Sequence, residues 1–132
     1  MDIIQRRQHL KVHDTPDRNL EFVSTLSARF RPDYSGDAMT LHVRYVADRQ
    51  VLDGGAFHEY LKSLETIHWT TPEAVTATVL NDCFDVLIAR WMEVIIDAGS
   101  HPKSASFCHH IKVEDRQPGW DNSSLLSRLP TL

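Results

Sequence analysis

The sequence predicts an α+β domain, a four-stranded antiparallel sheet with two antiparallel helices on one face. Three observations carry that expectation. Residues 20–30 and 39–45 alternate apolar with polar side chains; residues 53–90 carry two apolar stripes at three- and four-residue steps; and residues 92–96 and 107–113 alternate again. The order is therefore strand, strand, helix, helix, strand, strand.

Taken in order, residues 1–19 mix charge with few periodic apolar positions, the composition of a poorly ordered arm or a short edge element. Leu20, Phe22, Leu26, Ala28 and Phe30 then share one side of a half-buried strand, with Glu21, Thr25, Ser27 and Arg29 on the other. Pro32, Asp33, Ser35, Gly36 and Asp37 have the chemistry of a turn, and Met39, Leu41, Val43 and Tyr45 return as the second strand of a hairpin.

Asp53 before Gly54 and Gly55 offers the cap of a helix whose buried stripe is Phe57, Tyr60, Leu61, Leu64 and Ile67. Residues 68–71 break the pattern. Thr71, Pro72 and Glu73 then start a second helix, because Thr caps, Pro suits the first turn and an acid suits the positive end of the dipole. Its stripe of Val75, Val79, Cys83, Val86, Leu87 and Ala89 extends to about Arg90. Met92, Val94 and Ile96 form the third strand, and Phe107, His109, Ile111 and Val113 the fourth. Beyond Glu114 the chain reads as a tail with one short helix near residues 125–129. The expected division is an arm (1–19), a domain (20–113) and a tail (114–132).

A chain of 132 residues fits one domain. The net charge of -4 argues against a nucleic-acid binder that depends on a basic surface. No apolar run is long enough to span a bilayer, and the N-terminus lacks the order of a signal peptide, so a soluble, cytoplasmic protein with no membrane partner is expected. Cys83 and Cys108 cannot build a disulfide framework. The open edges of a four-stranded layer favour pairing between copies, so a homo-oligomer is expected.

This order of elements resembles the tunnelling fold, whose members include GTP cyclohydrolase I, dihydroneopterin aldolase and the 7-cyano-7-deazaguanine reductases. Two stretches carry the likeness. Leu41-His42-Val43-Arg44-Tyr45-Val46-Ala47-Asp48-Arg49-Gln50-Val51-Leu52 is similar to the second strand of the cyclohydrolases and reductases, and Arg90-Trp91-Met92-Glu93-Val94 is similar to the start of the reductases' third strand. The resemblance covers residues 30–97 and implies a barrel assembled from several copies, with sites between subunits.

It also implies that Glu73 stands where the family places its ring-binding carboxylate. Such a group accepts two parallel hydrogen bonds from the ring N–H and exocyclic amine of a purine, 7-deazaguanine or pterin. On local grounds alone Glu73 reads first as the acid that stabilises a helix N-terminus. Asp37 matches the reductases' proton-supplying acid and Asp53 their substrate-contacting acid, and each has a local reading as well, turn residue and helix cap. Gly54 and Gly55 depart from the reductase pattern, so a nicotinamide cofactor is not implied and the cofactor stays open.

Arg31 occupies the place of the reductases' nucleophilic Cys, which removes the thiol that would capture a nitrile; it is either a ligand-binding cation or a solvent-exposed one. The cyclohydrolases' zinc-binding cluster is also missing before the second strand. Acid–base chemistry with Asp37, His101 and His109 moving protons is therefore expected. The alternative is a rebuilt metal site around Cys108 and His110 with His101 or His42, or a non-catalytic binding protein of the same fold. His109 and His110 cannot share one ion on a regular strand, because adjacent side chains face opposite ways.

Overall fold

A computed structural model describes residues 2–31, 38–100 and 108–132, with only the backbone described at 98–100 and 108. The N-terminal residues form a short helix, α1 (Ile3–Arg7), and a three-residue strand, β1 (Val12–Asp14). A hairpin of β2 (Val23–Phe30) and β3 (Met39–Val46) follows, then the short strand β4 (Gln50–Leu52). Helices α2 (Gly54–Leu64) and α3 (Pro72–Leu87) precede a second hairpin, β5 (Trp91–Ser100) and β6 (Cys108–Arg116), and a terminal helix α4 (Ser123–Ser127).

The fold is α+β with two antiparallel sheets. The larger has four strands in the order β2-β3-β5-β6, and the smaller joins β1 to β4. That second sheet was not expected. The chain leaves the large sheet at Ala47, whose N–H donates to the Phe22 carbonyl, and β4 pairs Val51 with His13 and Leu52 with Val12. Three-residue strands give no periodicity to read, so only the pairing defines them. Tyr45 fixes the corner: its buried hydroxyl accepts the Leu52 N–H at 2.9 Å.

Register explains the core. Leu41 stands opposite Ala28 and Ile96, Val43 opposite Leu26 and Val94, and Ile96 and Val94 opposite Ile111 and Val113. These residues face α2, which lies over β2, and α3, which lies over β5 and β6. Phe57, Tyr60, Leu61 and Leu64 from α2 and Val75, Val79, Cys83 and Leu87 from α3 complete the same apolar cluster. Each fully buried aliphatic or aromatic side chain contributes about 1.5–3 kcal/mol, so the interdigitation of this one layer dominates stability.

Helix α3 begins as the sequence predicts, with the Thr71 hydroxyl accepting the Ala74 N–H and Pro72 in the first turn. It ends earlier than expected, at Leu87. Ile88 adopts the left-handed conformation (φ 51°, ψ 52°) and is 63% exposed. A β-branched residue there is strained, because left-handed geometry costs an L-residue about 1–2 kcal/mol. Ile88→Gly is therefore expected to raise stability by about 1 kcal/mol after the entropy of the glycine is subtracted. Thermal unfolding should show a rise of about 3–5 °C, and a fall would mean that the Ile88 side chain packs productively.

The opposite face of the large sheet holds the second departure. Arg44 and Glu93, which the alternation places on polar sides, are 5% and 3% exposed. The residues after β6 form a strap over this face, and the Pro130 carbonyl accepts from Arg44 Nη1 at 2.6 Å. No helix among the described residues is long and apolar enough to cross a membrane.

Candidate functional site

Glu73 sits in the first turn of α3, held by the Thr71 cap and the fixed backbone of Pro72. His109 sits at the start of β6, an edge strand that lies under α3. The two meet: His109 Nε2 is 2.8 Å from Glu73 Oε1, with the side chains 42% and 55% exposed. The structure thus brings together two residues singled out separately in the sequence. One imidazole nitrogen engages one carboxylate oxygen, while a carboxylate has about four lone-pair directions, so the group keeps acceptor capacity for a planar ligand.

The other sequence candidates stand elsewhere. Asp53 caps α2, accepting the Ala56 N–H at 2.8 Å, and also contacts His13 Nε2 at 2.8 Å. The bond from His13, followed by that from the Ala56 N–H, holds its carboxyl below the ordinary value. Arg31 is exposed, and its backbone N–H donates to Glu65 Oε2 at 2.6 Å. Asp37 and His101 lie outside the described residues, as does the Cys108 side chain. His110 is exposed on β6, opposite Asp97 in register. Among the described residues no three His, Cys, Asp or Glu side chains gather as a metal site.

A groove of about 380 Å³ runs beside Asp53 between Gln8, Lys11 and Glu59, and one of about 610 Å³ lies between Asp48, Arg49, Gln50, Ile88 and Gln117. Glu73 lines neither of these two.

Sequence reasoning missed three polar groupings. Asp82 of α3 is wholly buried and accepts from Arg6 Nε (2.9 Å), Arg7 Nε (2.9 Å) and the Tyr60 hydroxyl (2.7 Å). Burial by itself would raise its pKa, but the bonds from Arg6, Tyr60 and Arg7 prevail and lower it. The same burial pushes the Tyr60 and Cys83 groups up, so Cys83 is a core residue rather than a thiolate. The second grouping is Arg44, Glu93 and Lys112. The third is Ser27 Oγ with His42 Nδ1, 2.6 Å apart across the β2–β3 hairpin. Only the charge of Asp82 on an otherwise apolar stripe was a signal visible in the sequence.

None of the curated proteins compared matches the chain. A family model described as QueF-like protein matches residues 32–100, just over half of the chain and a span that includes β3, both central helices and β5. With that match, and with the four-stranded sheet and paired helices that carry Glu73, the chain belongs to the QueF-like protein family.

Proposed function

We propose that this protein binds and transforms a guanine-like heterocycle, of purine, 7-deazaguanine or pterin type, with Glu73 as the ring anchor and His109 as the neighbouring proton carrier. The observation that carries the reading is the 2.8 Å contact between the Glu73 carboxylate and His109 Nε2 at an exposed sheet edge. The family match supports it, because it spans Glu73. An ionised carboxylate accepts the ring N–H and exocyclic amine together, and an imidazole at hydrogen-bond distance can deliver or remove a proton beside the ring.

Arg31, at the position of the reductases' nucleophilic Cys, directs the chemistry away from a covalent thioimide and toward acid–base steps in which Asp37 and His101 would also take part. An edge strand beside the anchor favours a site completed by a second copy of the chain, as in a barrel of several subunits. Isothermal titration with guanine, 7-cyano-7-deazaguanine and neopterin tests the reading. Binding of at least one of them tighter than about 1 mM is expected, and failure of all three removes it.

A further inference from the structure

Between the C-terminal strap and the large sheet lies a cavity of about 220 Å³, lined by Arg44, Trp91, Glu93 and Lys112 below and by Leu126, Leu129 and Pro130 above. We propose that this cavity is a binding site for a small carboxylate, held by Arg44 Nε and Lys112 Nζ. It lies on the sheet face turned away from α3 and stands independently of the Glu73 reading.

The assignment rests on which hydrogen-bonding capacity is already used. Arg44 Nη1 donates to the Pro130 carbonyl at 2.6 Å and Nη2 to Glu93 Oε1 at 2.7 Å. Glu93 Oε2 pairs with Lys112 Nζ at 3.3 Å. Glu114, the other acid in the lining, accepts from Trp91 Nε1 and from Arg116 Nη2. Every acidic oxygen in the cavity therefore has a partner. What stays unmatched is a donor: Arg44 Nε is buried without a hydrogen-bond partner, on a side chain only 7% exposed. An orphaned buried donor is unfavourable, and an incoming oxygen relieves it. Lys112, 52% exposed, has further ammonium protons and supplies the opposite charge.

Size selects the class. The volume is below the range of about 300–1,000 Å³ usual for cofactor or drug-sized ligands, so it suits a group of a few heavy atoms and not a fused heterocycle. The strap already presents one oxygen, the Pro130 carbonyl, to the same guanidinium, so oxygen is accepted on this side. The cavity is partly open to solvent, and because Arg44 Nε has almost no exposed surface, the lining must shift locally to bring an oxygen to it.

Trp91 lines the cavity and provides the readout. The full chain is titrated with acetate and, separately, with phosphate at ionic strength held constant with sodium chloride, following intrinsic fluorescence and confirming by calorimetry. Acetate should give a saturable change that Trp91→Phe removes from the fluorescence but not from the calorimetry. Lys112→Met, its folding confirmed by thermal unfolding because Glu93 Oε2 loses a partner, should weaken acetate binding by at least about tenfold. A response to acetate no different from chloride, an unchanged affinity in Lys112→Met, or tighter binding of phosphate than acetate would each overturn the carboxylate assignment.

Discussion

Asp82→Ala is expected to lower the unfolding free energy by about 3 kcal/mol, the lower end of what breaking a buried ion pair costs, because the arginines retain some access to water. Three donors converge on that carboxylate from two other elements, α1 and α2, and none of it reaches solvent. Its removal leaves the Tyr60 hydroxyl buried without its acceptor and weakens the tie between α1 and α3, which Arg7 keeps through Asp85 and the Asn81 carbonyl. Tyr60→Phe, which removes one donor and leaves the arginines paired, should cost only about 1 kcal/mol. Denaturant titration of both variants separates the network from the single bond; equal losses would contradict it.

The pH dependence has a definite sign. The folded pKa of Asp82 is lowered, so its contribution to stability is complete above the unfolded carboxylate value and is lost as pH falls through the folded value. Wild-type stability should therefore drop in the acid range by more than that of Asp82→Ala, whose profile lacks this component.

Glu93→Ala should be comparably damaging, about 3 kcal/mol, because it strands a guanidinium that is 7% exposed and leaves it the Pro130 carbonyl as its hydrogen-bond acceptor among the described residues. The Arg44 guanidinium carbon also lies 6.0 Å from the Trp91 ring centroid, at the outer limit of a cation–π contact, which offsets little of that loss. Replacing both partners by apolar residues of similar size, Arg44→Met with Glu93→Leu, should recover stability to within about 1 kcal/mol of wild type, since the desolvation of both ions is then avoided. Chemical denaturation of the single and double variants measures this. A double variant as unstable as the single would show that the pair itself, and not the stranded charge, dominates.

Much of the fold was legible because its signals are local. The alternation of Met39, Leu41, Val43 and Tyr45, the cap at Asp53 and the Thr71-Pro72-Glu73 start each depend on neighbours in sequence, and each is found where expected. What escaped depends on distant partners. Arg44 and Glu93 look like solvent-facing residues of their strands until residues 126–131 are laid across them. β1 and β4 exist only as a pair, and the role of Asp82 depends on Arg6 and Arg7, which arrive from the far end of the chain. At the candidate site, Glu73 and His109 were each visible as chemistry-bearing residues, but their pairing was not, because it joins a helix start to a strand 36 positions away.

The proposal that Glu73 anchors a flat, nitrogen-rich ring is tested most directly by comparing guanine with hypoxanthine, which lacks the exocyclic amine, on the wild-type chain and on Glu73→Gln. A carboxylate that accepts both the ring N–H and the amine should favour guanine by about 1–3 kcal/mol, roughly five- to 150-fold in Kd, and Glu73→Gln should erase that preference with a change in stability of no more than about 1 kcal/mol. Equal affinity of the wild-type chain for the two bases, or a preference that survives in Glu73→Gln, would contradict the account.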